Sequence, residues 1–282
     1  MTIQEAITNN GELAYWLERW KLIPDGPPLA THTSQLLPVK IAADGMKAML
    51  KITHDESERL GCALMAWWEG NGAARVIHHE KGAILLQRAT GSASLSMMSR
   101  DGRDAEACRI MCRTANQLHR PRKKPLPQLE SLHDWFRPLK PAARTHGGIL
   151  IRSADIADAL LATSQDEVVL HGDLHHENVL DFGPSGWLAI DPKGIKGERG
   201  FDYANIFTNP DLSNPLARTA VVPDIFKQRL EIVSEMAELD RERLLMWIIA
   251  WCGLSATWSL DINAPISIQC HVAELALVEL DR

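Results

Sequence analysis

A chain of 282 residues that is 45% hydrophobic and 23% charged is long enough to bury the core of one or two domains and too apolar for wholesale disorder. Its 30 basic and 36 acidic side chains leave a net charge of −6, which disfavours the basic surface a nucleic-acid binder needs, so no nucleic-acid partner is expected. The five cysteines (Cys62, Cys108, Cys112, Cys252 and Cys270) form no C-x-x-C pair and read as buried free thiols of a reducing cytoplasm.

In chain order, the N-terminal stretch MTIQEAITNNGELAYWLERW lacks a basic start followed by an apolar run, so it does not read as a signal peptide. LLPVKI (36–41) and MKAMLKI (46–52) flank Asp44-Gly45 and predict a hairpin. Residues 55–70 follow, with Leu60, Leu64 and Trp67 or Trp68 on one helical stripe. RVIHHE (75–80) and AILLQRA (83–89), joined by Lys81-Gly82, predict a second hairpin. Cys108, Met111, Ala115 and Leu118 share helical spacing within residues 102–119, and PRKKPLP (121–127) breaks that helix. Helical patterns return at 129–146 and 153–163. Strand-like EVVLHGDLHHENVLDF and GWLAID then flank a Gly183-Pro184-Ser185-Gly186 turn. Helices are expected at 202–208, 223–239, 241–260 and 266–280. The apolar run at 244–260 is short for a membrane span and is interrupted by Gly253, Ser255, Thr257 and Ser259. It reads as a buried helix, and no membrane partner is expected. The pattern predicts an α+β chain: a small β-rich lobe (1–86), a hinge (87–95) and a larger helical lobe (96–282), with a monomer as the expected state.

The chemistry concentrates in HGDLHHENVL. An ATP-using transferase must hold a divalent ion against phosphates and place a carboxylate beside the acceptor hydroxyl. Mg²⁺ takes hard oxygen ligands, which Asp and Asn supply and His does not. His171, Asp173 and Asn178 match the spacing of a kinase catalytic loop, with Asp173 as base and Asn178 as metal ligand. The literal Asp181-Phe182-Gly183 triplet follows only three residues later. Strand alternation gives Asp181 the opposite parity to Asn178 and puts it at the outer end of the hairpin, away from the phosphates. The return strand brings Asp191 back beside Asn178, so Asp191 is the expected metal-binding aspartate. Upstream, Lys51 ends a strand directly before a helix and is the expected phosphate lysine, with Lys47 as rival and Glu58 preferred over Glu56 as its partner.

HGDLHHENVL, WLAIDP and GERGFDYANIFTNP, together with WWEGNGAARV, WFRPL and RLLMWIIAWCGLSATW, resemble the streptomycin 6-phosphotransferases within the wider aminoglycoside and hydroxyurea antibiotic-resistance kinases. The resemblance implies a protein-kinase-like fold of two lobes and the use of ATP and Mg²⁺. It implies Asp173 as base, Asn178 and Asp191 on Mg²⁺, and Lys51 on the phosphates, paired with Glu58. It further implies a hinge strand at Gln87 to Ala89 meeting adenine, and Asp202 bracing the loop that His171 opens. The chain departs from protein kinases in several ways. Gly172 replaces the Arg of H-R-D, and THTSQ (31–35) stands where a glycine-rich loop would be, which weakens any phosphate role for Thr33 or Ser34. Ten residues separate Asp191 from Asp202, leaving little room for an activation segment.

The resemblance implies a cationic aminoglycoside as acceptor, streptomycin at position 6, with hydroxyurea or another small metabolite as the alternative. Such a cation calls for carboxylates and hydrogen-bond acceptors in the helical lobe, with tryptophans able to flank the pocket. Glu177 is the leading contact, followed by Asp261 and Trp251; Asp211, Glu231, Glu274 and Trp258 are further candidates. Two other classes compete. His171, Asp173, His175 and His176 could ligate zinc in a metallohydrolase, but no second His/Asp cluster has suitable spacing. A catalytically dead binding module would be expected to have lost one of Lys51, Asp173, Asn178 or Asp191, and all four are present.

Overall fold

The computed structural model describes residues 11–31 and 33–282. The first ten residues, where the start of a signal peptide would fall, lie outside it, as does residue 32 of the THTSQ stretch. The N-terminal region is an antiparallel sheet with strands β1 (Leu22–Pro24), β2 (Leu29–Ala30), β3 (Ser34–Ile41), β4 (Lys47–Thr53), β5 (Val76–Glu80) and β6 (Ala83–Gln87). Its spatial order is β1-β3-β4-β6-β5, with β2 pairing β3.

The period-2 pattern of β4 divides labour between the two faces of this sheet. Ala48, Leu50 and Ile52 point into a small core shared with Leu37, Val39, Leu85 and the helix α1 (Gly11–Arg19), whose Leu13 and Trp16 close it. Met49 and Lys51 point to the opposite face, where they line a cavity. Lys47, the rival lysine, is exposed. Helix α1 has no counterpart among the sequence expectations, because its apolar stripe is short: Leu13 and Trp16 are its buried residues.

The helix α2 (Glu56–Trp68) crosses the cavity face. Asp55 caps it by accepting from Ser57 N at 2.9 Å and Glu58 N at 3.2 Å, which fixes the first turn and therefore Glu58. Residues 88–94 link β6 to α3 (Leu95–Arg100), a helix that Ser94 caps and that begins at the last residue of the expected hinge.

The second region is helical around one strand cluster. It comprises α4 (Asp104–Leu118), α5 (Leu132–Trp135), α6 (Leu139–His146), α7 (Ile149–Ala162), α8 (Gly200–Ala204), α9 (Pro223–Ala237), α10 (Arg241–Asp261) and α11 (Ser267–Leu280). The single helix expected at 129–146 is two helices, because Pro138 has no N–H with which to continue α5. Expected helix 202–208 is α8 followed by a 3₁₀ turn at Asn205–Phe207. Strand β8 (Glu167–Leu170) does not join the catalytic hairpin. It pairs antiparallel with β11 (Ile195–Glu198), an element with no sequence signal, which pairs in parallel with β7 (Glu130–Ser131). The hairpin itself is β9 (Val179–Asp181) and β10 (Trp187–Ala189).

Helix α10 is long and apolar enough to span a membrane by length and composition, but its middle is buried against α7, α8 and α11. Its polar interruptions are satisfied within the fold: Thr257 Oγ1 donates to Gly253 O at 3.0 Å, and Gln269 Nε2 donates to Ser259 Oγ at 3.0 Å. All five cysteines are unpaired and four are buried; hydrogen bonding to Cys108 and burial hold the Cys112 thiol well above its usual pKa, which makes it a poor nucleophile.

The two regions touch most closely where α2 meets the chain after β10. A Cβ on Gly61 would lie 2.0 Å from Pro192 O, so only glycine lets α2 approach this segment. Gly61→Ala is predicted to cost about 1–3 kcal/mol of stability by forcing the two backbones apart. Urea denaturation measures the loss.

Candidate active site

The segment 171–178 joins β8 to β9, and a buried carboxylate fixes its shape. Asp202, at the start of α8, accepts from His171 N and Gly172 N, both at 2.8 Å, and contacts His119 Nε2 at 2.8 Å. Burial opposes the charge, but the His119 contact and the backbone donors outweigh it and hold Asp202 below the usual carboxylate range. His171 Nε2 is bonded to Ile190 O at 2.8 Å, and burial lowers its pKa, so its ring is a strut between the loop and β10.

Asp173 then faces the cleft, held on both sides. Asn205 Nδ2 donates to its Oδ1 at 3.0 Å, and Asn178 Nδ2 donates to its backbone O at 2.8 Å and to its Oδ2 at 3.3 Å. The second contact decides the orientation of Asn178: its amide nitrogen is spent on Asp173, and its Oδ1 is left to meet a donor or a cation. Ile190 N donates to Asn178 O at 2.9 Å, which brings the Asp191 segment alongside. Asp191 adopts a left-handed φ of 61°, an arrangement aspartate tolerates better than most residues.

Lys51 contacts both Glu58 Oε2 and Asp191 Oδ1. Burial alone would lower the Lys51 pKa, but Asp191 and Glu58 reverse that and raise it. The other oxygen of Glu58 is taken by Lys193, whose Nζ lies 3.1 Å from Oε1. Lys193 and Asn205 escaped the sequence reading. Neither carries a pattern that separates it from a solvated side chain; the only available signal was their place within IDPKG and FDYANIF.

Two of the cavities meet here. One, of about 540 Å³, lies under the sheet and is lined by Thr31, Ser34, Met49, Lys51, Gln87 and Ala89 on one side and Leu180 and Asp191 on the other. The second, of about 690 Å³, opens onto Asp173 and Asn205 and is walled by Trp135, Trp251 and Trp258. Trp251 donates Nε1 to Thr208 Oγ1 at 3.1 Å, and Trp258 meets Trp135 edge-on at 5.6 Å between centroids. Asp134 is the carboxylate at this wall.

The structure does not bring Glu177 or Asp261 to either cavity. Both are exposed: Glu177 turns outward because its neighbours His176 and Asn178 take the inward positions of the loop, and Asp261 lies at the far end of α10. Glu231 and Glu274 are likewise exposed, and buried Asp211 is consumed by Thr219 N at 2.9 Å and Ala220 N at 3.1 Å. The zinc reading also fails. His171 is tied to Ile190 O, His176 is fully buried away from the cleft, and the described residues hold no His/Cys/Asp/Glu group able to bind such an ion.

Asp181 lines neither cavity. Its carboxylate accepts from Gly183 N at 2.8 Å and Ala93 N at 3.2 Å, and its backbone O accepts from Gly91 N at 2.9 Å. It fastens the linker between the regions to the hairpin, and a Cβ at Gly91 would fall 1.9 Å from its carboxylate carbon.

A sheet-bearing lobe, a helical lobe and a carboxylate loop at their junction define the protein-kinase-like phosphotransferases. One solved example is an aminoglycoside phosphotransferase from Streptomyces rimosus in complex with ADP and streptomycin, similar with a TM-score of 0.54 at 18% identity, covering 88% of this chain and 98% of that one. The chain belongs to the aminoglycoside/hydroxyurea antibiotic resistance kinase family, which it matches over residues 19–263. It is 52% identical over 242 residues to a streptomycin 3″-kinase of Klebsiella pneumoniae, covering 86% of this chain and 90% of that protein. It is 29% identical to a streptomycin 6-kinase of Streptomyces griseus, covering 93% of this chain and 87% of that one. The chain is therefore a kinase.

Asp202→Asn removes charge from two backbone hydrogen bonds and is predicted to cost about 1.5–3 kcal/mol at neutral pH. Because the folded pKa of Asp202 is depressed, its contribution is complete above the unfolded value near ~4 and is lost as pH falls below it. The stability gap between wild type and variant, measured by urea denaturation, should narrow as pH drops from about 4.

Proposed function

We propose that this kinase transfers the γ-phosphoryl group of ATP, with magnesium, to a hydroxyl of streptomycin, and that the acceptor is the 3″ position. One observation carries the reading: a roomy aromatic cavity opens onto Asp173 and meets the Lys51 cavity, in a chain 52% identical to a streptomycin 3″-kinase. The resemblance in the sequence pointed to position 6, but the similarity to a 6-kinase is only 29%. Hydroxyurea is far too small to fill a cavity of about 690 Å³.

The geometry supports the following roles. Adenine enters under the sheet against the backbone of Gln87 to Ala89. Lys51, oriented by Glu58, holds the phosphates. Thr33 and Ser34 cover them; Ser34 Oγ is buried without a partner among the described residues, which suits a phosphate oxygen. The donors available to a metal are Asn178 Oδ1 and the Asp191 carboxylate, both hard oxygens that fit Mg²⁺. When bound, the ion neutralises charge on the phosphates. Asp173, positioned by Asn205 and Asn178, orients the acceptor hydroxyl and receives its proton. The guanidino groups of the drug meet the Trp135–Trp258 wall, since aromatic rings hold planar cations; Asp134 stands at its edge already paired with Arg137 and Ser131.

ADP release measured with streptomycin, hydroxyurea and kanamycin tests the substrate, and phosphorus–proton NMR of the product reads the position. Phosphate on the 3″ oxygen supports the proposal; phosphate at position 6, or release only with another acceptor, overturns it. Asp173→Asn should stay folded and lose about 10²–10⁴-fold in kcat. Asp181→Asn should keep most turnover, since it touches the linker and not the cavities. Trp258→Ala should raise the KM for streptomycin by an amount worth about 0.5–2 kcal/mol, with the KM for ATP unchanged in steady-state assays.

A further inference from the structure

Phosphoryl transfer needs the γ-phosphoryl group to pass from the nucleotide cavity to the acceptor cavity. Among the described residues, Thr33, Glu58 and Lys193 line both. Of these three, Lys193 alone carries positive charge, and Glu58 would repel the group in transit. Each oxygen of Glu58 is covered by a lysine: Lys51 on Oε2 and Lys193 on Oε1. Lys193 cannot swing far from this junction. Its backbone N donates to His171 O at 2.8 Å, its Cβ packs against Gly172, and its side chain is only 21% exposed. The ammonium has three donors and Glu58 takes one, which leaves two for a ligand in the cavity that Lys193 lines together with Asp173 and Thr33.

We propose that Lys193 is a catalytic residue that donates hydrogen bonds to the equatorial oxygens of the γ-phosphoryl group during transfer. The inference rests on the kinase reading but not on the identity of the acceptor. In the step, the bond between the γ-phosphorus and the oxygen bridging to the β-phosphate breaks and leaves its electron pair on ADP. A bond forms from the acceptor oxygen to that phosphorus, and the acceptor proton goes to Asp173. Lys193 makes and breaks no covalent bond; it offsets charge that spreads over the three non-bridging oxygens. This cation supplies from the catalytic hairpin what the chain cannot take from a glycine-rich loop, which it lacks.

The test compares binding of ADP with magnesium in the absence and presence of aluminium fluoride, a mimic of the planar phosphoryl group, without any acceptor. Wild type should bind the fluoride complex more tightly than ADP alone. Lys193→Met should bind ADP within a few-fold of wild type and lose about 10²–10³-fold in affinity for the fluoride complex, with a matching fall in kcat and little change in the KM for ATP. Lys193→Arg should recover part of both. An equal loss for ADP alone would show that Lys193 acts only by holding Glu58, and would overturn the proposal. So would an undiminished fluoride complex in the variant, or no tightening by fluoride in wild type. If Lys193→Met does not fold, judged by thermal melting, Lys193→Gln carries the same comparison. A positive fluoride result alongside no phosphorylation of streptomycin would retain Lys193 and discard the acceptor.

Discussion

Glu58 is one carboxylate serving two lysines, and the two halves of the site are joined through it. Lys51 comes from the sheet, Glu58 from the helix that crosses the sheet, and Lys193 from the chain that leaves the catalytic hairpin. A buried ion pair of this kind is weak evidence for net stability, because removing the charges from water costs about as much as their attraction returns. Its value lies in placement. The pair holds a buried ammonium group against Asp191 before any nucleotide arrives. The short approach of α2 to Pro192 makes that placement possible, since a helix held further off would leave Glu58 out of reach of Lys193.

A second constraint works on the other side of the cleft. Asp202 and Asn205 lie one helical turn apart, and both face segment 171–178. Asp202 takes the backbone amides of His171 and Gly172, while Asn205 takes the carboxylate of Asp173. One short helical segment therefore fixes both the path of the loop and the direction of its reactive group. The left-handed Gly172 explains why no arginine stands there: its φ is 81°, and an added Cβ would press on Ile195 and Lys193.

The tryptophans give the proposed acceptor cavity an aromatic wall without burying many acids. Trp135, Trp251 and Trp258 come from two helices, pack edge to face and line the cavity while remaining part of the core. Such a wall tolerates rigid planar cations and demands little desolvation of carboxylates. It also explains why acids chosen for their charge alone, such as Glu177 and Asp261, lie elsewhere on the surface.

Local sequence determined much of this protein. Hairpin turns at Asp44-Gly45 and Lys81-Gly82, the stripe of α2 and the apolar run of α10 all follow from short-range periodicity, and the elements form where that periodicity is strong. The spacing of His171, Asp173 and Asn178 was legible because one loop supplies all three, and strand parity separated Asp181 from the cleft. Only tertiary structure decided the rest. Strand β11 forms because β8 and β7 flank it, not because IKGE favours a strand. Lys193, Asn205 and Trp135 reach the site through contacts between segments tens of residues apart, and no local pattern encodes which side chain of a helix or turn will face a cavity. The same holds for Gly61 and Gly91, whose need for a bare backbone arises from the distant segment each one meets: a carbonyl at Pro192 and a carboxylate at Asp181.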